Sequence, residues 1–164
     1  MIWTIKITLL GGAYATSQWV RVFEMDAATD QESLHYLIQR TIGFDDDHLY
    51  DFFVARTPRS RGLIGLDGEG DAFCEKTLAG LFPLPKDRKL FYYFDYGDSW
   101  VFQVARTRKA PFNPRPGTHY PHLIEKIGEN PDQYGKCQED CEEDEDEDKD
   151  AGDGESTGAP DSTT

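Results

Sequence analysis

The sequence predicts an α+β domain: a β-grasp-like mixed sheet in the order β-β-α-β-turn-β-β, with one main helix packed on one face. Three observations carry the prediction. Residues 2–10 alternate between apolar and polar positions, as a half-buried strand does, and residues 18–25 resume as a second strand. Residues 29–43 hold a single amphipathic helix with a legible start and stop. Three further runs, 49–56, 88–95 and 99–107, are rich in aromatic and β-branched residues and bounded by turn formers. A hairpin, then a crossing helix, then more strands is a two-layer arrangement.

In the first strand Trp3, Ile5, Ile7 and Leu9 face one way and Thr4, Lys6 and Thr8 the other; Gly11-Gly12 then turns the chain. In the second, Trp19, Arg21 and Phe23 share a face opposite Val20 and Val22. The stretch Thr29-Asp30-Gln31-Glu32 fits a capping box with Thr29 as the cap. Leu34, Leu37, Ile38 and Ile42 follow at helical spacing and Gly43 ends the helix. After the third strand, residues 57–74 are polar and glycine-rich, a mobile surface loop by composition. KTLAGLF (76–82) is a short helical turn stopped by Pro83 and Pro85. HYPHLIEKIG (119–128) reads as a short outer helix.

Charge divides the chain of 164 residues, whose formal net charge is −14. Residues 139–164 hold 13 acids, one lysine, no aromatic and no aliphatic side chain larger than alanine. Such a segment buries too little apolar surface to offset its ordering entropy, so one globular domain (1–136) and a disordered acidic tail (137–164) are expected. The N-terminus lacks the basic start and unbroken apolar run of a signal peptide, and no segment reaches the roughly 20 apolar residues that span a bilayer. Three cysteines make no disulfide framework. A cytoplasmic protein without a membrane partner is the resulting expectation.

The densest chemistry lies in FYYFDYGDSWVFQV (91–104). Asp95 and Asp98 flank Gly97 ahead of Trp100. The preferred explanation is a tight turn in which Gly97 takes a positive φ, the aspartates bond backbone N–H groups and Trp100 enters the core. The competing explanation is a carboxylate pair for acid–base work or a cation. His35, on the helix, and His48, just before the third strand, are the nearest histidines in type and position, with Asp45, Asp46 and Asp47 between them. His119 and His122 are separated by Pro121 and have no obvious third ligand, Cys137 and Cys141 lack CxxC spacing, and the 67–71 DGEGD run lacks the further ligands of a calcium loop. No metal and no cofactor is expected.

Two stretches resemble the plasmid pRiA4b ORF-3-like family. SLHYLIQRTIGFDDDHLYDFFVA (33–55) is similar to its leucine-histidine helix, aspartate-rich turn and His-Leu strand entry, and TLAGLFPLPKDRKLFYYFDYGDSWVFQV (77–104) to its Tyr-x-Tyr-Asp-Phe-Gly-Asp-x-Trp signature. Phe44 stands where many relatives have tryptophan, and YPHLIEKIGENPDQYG (120–135) replaces their Cys-Pro-Pro-Glu-Asp-like segment. The resemblance implies a compact domain without an established activity, and it marks His35, His48, Asp95, Gly97, Asp98 and Trp100 as candidate binding positions.

With aromatic residues abundant and no convincing catalytic set, a non-enzymatic module for a protein or peptide partner is the favoured function. One alternative is a nucleic-acid-transaction accessory of mobile-element type. Its patch would be Arg56, Arg59, Arg61, Arg106, Arg108, Lys109 and Arg115, masked in cis by the acidic tail; the acidic balance works against it. The other alternative is a metal-dependent enzyme using Asp95, Asp98, His35 and His48.

Overall fold

Alternation in MIWTIKITLL produces β1 (Ile2–Gly11), and the β-branched and aromatic run WVRVFEM, buried on both faces, produces β2 (Val20–Asp26). They pair antiparallel from Ile2↔Asp26 to Thr8↔Val20. The computed structural model describes residues 1–60 and 76–135. Most of the 57–74 loop, the acidic tail, Arg61 and all three cysteines lie outside the described residues.

Helix α1 (Gln31–Ile42) follows β2. Its cap is Asp30, whose side chain accepts the Ser33 N–H at 2.7 Å, and not Thr29 as the capping-box pattern suggests. Thr29 instead lends its carbonyl to Leu78 N–H (2.9 Å), tying the helix entry to α2 (Leu78–Leu81). Gly43 closes α1 at φ +83°, a left-handed conformation that glycine adopts without penalty.

The remaining strands are β3 (Tyr50–Ala55), β4 (Lys89–Phe94), β5 (Trp100–Arg106) and β6 (His122–Ile127). Sheet order is β3-β4-β5-β1-β2-β6, and every described pairing is antiparallel. This corrects the expected mixed, β-grasp-like sheet. The α1 crossover does leave β2 and β3 pointing the same way, but β4, β5 and β1 lie between them, so no parallel pair forms. A second correction concerns HYPHLIEKIG, which is not a helix: His122–Ile127 pairs with β2 as an edge strand.

One face of the sheet receives α1. Leu34, Leu37, Ile38 and Ile42 pack onto Ile5, Ile7, Phe23, Tyr92, Phe102 and Val104 in one continuous core. Trp19, Tyr92 and Trp100 are fully buried there. Each contributes roughly 4–6 kcal/mol by apolar area. The segment after β5 returns alongside β1, with Phe112 and Ile2 exchanging backbone hydrogen bonds. From it, Lys109 and Arg115 reach across the second face to the buried Glu24 carboxylate, both at 3.0 Å. Burial alone would raise the pKa of Glu24, but the two basic partners outweigh it and hold the group below the usual carboxylate value. Arg115 is thereby committed to the fold. Among the described residues, no helix is long and apolar enough to cross a membrane.

Candidate functional site

The residues singled out from sequence gather at one end of the sheet, where β1, β4 and α1 finish and β3 and β5 begin, but they form two separate pairs. His35 is buried on α1, stacked on Tyr50 at 3.6 Å with the rings 9° apart. Its Nε2 lies 2.6 Å from Asp46 Oδ1 and its Nδ1 2.7 Å from the Tyr92 hydroxyl. A carboxylate only accepts, so Nε2 carries the proton; Nδ1 then accepts from Tyr92, whose oxygen accepts from Gln39 Nε2 at 2.9 Å. Desolvation lowers the pKa of His35, with Asp46 opposing, and the neutral ring suits this chain of donors. Asp46 holds its position with φ +54°, a conformation that aspartate tolerates.

His48 is two-fifths exposed, with Nε2 3.4 Å from Asp95 Oδ2 and 3.5 Å from Asp47 Oδ1. Asp95 is otherwise fully engaged by its own loop. Oδ1 accepts from the N–H groups of Gly97 (2.9 Å) and Asp98 (3.3 Å), its carbonyl accepts from Ser99 N–H (2.7 Å), and its own N–H donates to Leu49 (3.0 Å). The left-handed positions are Asp95 and Ser99, not Gly97, which overturns the expected positive φ at the glycine. A Cβ at Gly97 would meet only Asp95 Oδ1, at 3.2 Å. Asp98 contributes its carbonyl to Ala13 N–H at 2.8 Å. Trp100 is fully buried against Phe44, 4.8 Å between ring centroids. Gly12 crosses its ring so closely that a Cβ would fall 2.3 Å from Cε3.

The four side chains of the enzyme alternative do not converge: His48 meets Asp95, while His35 takes Asp46. Among the described residues, no cluster of three or more His, Cys, Asp or Glu side chains is arranged to hold a metal ion.

Sequence reasoning missed the C-terminal segment that fastens this end. Gln133 accepts from Asp45 N–H at 2.7 Å and donates to Asp47 Oδ1 at 2.9 Å. Tyr134 donates to Asp47 Oδ2, which holds Asp47 below the usual carboxylate range and raises the phenol to about 12. Asn130 accepts from Trp19 Nε1 (2.8 Å) and Arg21 (2.9 Å). Buried Arg21 also donates to the carbonyls of Ile127 (2.7 Å) and Gly128 (3.0 Å). A signal was present in the sequence: Arg21 stood on a face otherwise made of Trp19 and Phe23, and a buried arginine needs acceptors.

At the opposite end of the sheet the charge reverses. Registers Ala55↔Lys89, Leu90↔Val104 and Ile5↔Arg106 bring the end of β3, the starts of β4 and β1 and the end of β5 together. Arg56, Arg88, Lys89, Arg106, Arg108 and Lys109 therefore share one end, and Asp45, Asp46, Asp47, Asp95 and Asp98 the other. The described residues carry 14 bases and 14 acids, so the charge is unevenly placed and not in excess; Asp26 and Asp87 still lie at the basic end, beside the starts of β1 and β4.

Within the basic end, Phe82, Pro83 and Leu84 face Arg106, Arg108 and Lys109 across an open groove of about 470 Å³ that no carboxylate lines. A smaller recess of about 190 Å³ continues it toward Arg88 and Lys89. Arg106 lies over Trp3, 3.9 Å from the ring centroid, and Trp3 meets Phe82 edge-on at 6.4 Å, giving the groove an aromatic wall. Arg88, Lys89 and Arg108 have no ion-pair partner among the described residues, whereas Lys109 is shared with Glu24.

The family model described as plasmid pRiA4b ORF-3-like protein matches residues 1–148. Among solved structures, the chain is similar to the crystal structure of a protein of unknown function, MM3350, from Methanosarcina mazei Go1. The identity is 25% and the TM-score 0.56, over 76% of this chain and 68% of that one. No curated protein matches the sequence. With the family model covering most of its length, the chain belongs to the plasmid pRiA4b ORF-3-like protein family.

Proposed function

We propose that this domain is a non-enzymatic binding module whose basic groove receives an acidic segment of a protein partner. One observation carries the proposal: a groove with an apolar wall and three cationic side chains, lined by no acid, at the end of the sheet opposite Asp45, Asp46, Asp47, Asp95 and Asp98. Arginine favours carboxylate in planar, bidentate geometry, and Phe82, Pro83 and Leu84 offer area to the apolar residues between acids. An acidic peptide suits this lining better than nucleic acid, because the described residues carry as many acids as bases, a balance that works against phosphate binding, and the wall opposite the cations is apolar. His35 and His48 then serve to hold the far end together, outside any reaction.

The test is fluorescence anisotropy with a labelled peptide alternating acidic and aliphatic residues. The protein is the full chain with the ten acids between 139 and 150 replaced by their amides, so that no polyanion in the same molecule competes. Saturable, salt-sensitive binding is expected, reduced at least fivefold by combining Arg108→Glu with Lys89→Glu. Binding unaffected by that reversal, or tighter binding to a single-stranded oligonucleotide, overturns the proposal.

A further inference from the structure

We infer that the first occupant of the basic groove is the chain's own acidic segment, residues 139–150, bound in cis as a competitor of the partner. The inference rests on the binding reading above and adds its regulation.

Charge and attachment both support it. Residues 139–150 include ten acids and one lysine, the densest negative charge in the chain. The last described residue, Gly135, lies beside Tyr14, close to where Gln133 and Tyr134 grip Asp45 and Asp47. The acidic segment thus departs from the end of the domain that already carries Asp45, Asp46, Asp47, Asp95 and Asp98. Like charge disfavours its settling there, while the complementary charge lies at the other end.

The reach is sufficient. From Gly11 back to Ile5, the strand that joins the two ends advances about 20 Å at roughly 3.3 Å per residue. The 15 residues from 136 to 150 extend to about 50 Å at most. Acids from the middle of the run can therefore lie against Arg106, Arg108 and Lys89 without strain in the connection. A tether of this length holds its acids at an effective concentration on the order of millimolar. A segment that binds with a dissociation constant of about 100 μM, held at about 1 mM, lowers the partner peptide's apparent affinity about tenfold.

Two measurements decide it. The first compares the same acidic peptide on the native full chain and on the amidated variant at equal salt. At least tenfold tighter binding by the amidated variant is expected, with the gap closing as salt is raised. Equal affinity overturns the inference and leaves the groove reading intact; no binding by the amidated variant at any salt removes both. The second is zero-length carbodiimide cross-linking of the native chain at low micromolar concentration, mapped by mass spectrometry. Links from the 139–150 carboxylates to Lys89 or Lys109 within monomeric protein are expected. Links confined to dimers, or to lysines away from the groove, overturn binding in cis.

Discussion

Replacing His35 by leucine isolates what the histidine does. Leucine keeps the apolar volume at a buried position but removes both ring nitrogens. The Tyr92 hydroxyl then loses its acceptor at 2.7 Å in a core where it has little access to water. An orphaned buried hydroxyl costs about 1–3 kcal/mol. The 3.6 Å stack on Tyr50 adds about 0.5–1.5 kcal/mol. The bond to Asp46 adds less than about 1 kcal/mol, since that carboxylate is a third exposed and can turn to water. Destabilisation of about 2–5 kcal/mol follows, a fall of roughly 5–15 °C in melting temperature for a chain of this size. Thermal denaturation by circular dichroism reads it. The sharper test is a cycle with Tyr92→Phe: once the hydroxyl is gone His35→Leu orphans nothing there, so the double variant should be at least about 1 kcal/mol more stable than additivity predicts. Additive losses would refute the hydrogen-bond chain. A His35→Leu variant with unchanged melting would refute any structural role for the residue.

Acid should weaken the same network. The pKa of His35 is lowered on folding, so the unfolded chain binds the extra proton more readily. Its contribution is complete above the unfolded value near 6.5 and is lost as pH falls through the folded value, with a slope of at most about 1.4 kcal/mol per pH unit. Urea midpoints at pH 7.5 and 5.5 should differ in the native protein and differ less in His35→Leu. Gly12→Ala should cost about 1–3 kcal/mol, because the new Cβ falls on the Trp100 ring, whereas Gly97→Ala should cost well under 1 kcal/mol; the reverse order in melting temperature would show the loop geometry to be misread. Glu24→Gln should lose about 1–2 kcal/mol by leaving Lys109 and Arg115 without their shared carboxylate, a moderate figure because both bases are half exposed and can resolvate. Denaturant titration that finds no change would show the Lys109 and Arg115 bridge to be energetically idle.

The elements visible in the sequence are those whose two faces differ. β1 and α1 set an apolar side against a polar one, so periodicity located them. β6 has no such contrast: every residue from His122 to Ile127 is exposed, and Leu123, Ile124 and Ile127 mimic a helical stripe at spacings of one and three. What makes it a strand is the open edge of β2, a partner distant in sequence. Strand order was hidden for the same reason, since no local pattern says that β5 returns beside β1. In the 91–104 stretch the loop itself was legible, but the left-handed conformation passed from Gly97 to Asp95 and Ser99, because one aspartate side chain can cap two successive N–H groups there. The candidate positions His35 and His48 were readable as residues near aspartates. That each would choose a different aspartate depended on register. Likewise Arg106, Arg108 and Lys109 formed a basic cluster in sequence, yet only pairing of β3 and β5 with β4 placed Arg56, Arg88 and Lys89 beside them.

Amide chemical-shift mapping with the acidic peptide bears most directly on the central claim that the basic end is the binding surface. Isotope-labelled full chain with amidated tail acids is titrated at low salt, and shifts are read at both ends of the sheet in one experiment. The expected result is saturable change at Leu84, Arg106, Thr107, Arg108 and Lys109, with Asp46, His48, Gly97 and Asp98 unmoved. Shifts concentrated at His48 and the 95–99 loop, or none at Arg106–Lys109 when the peptide is saturating, would contradict it.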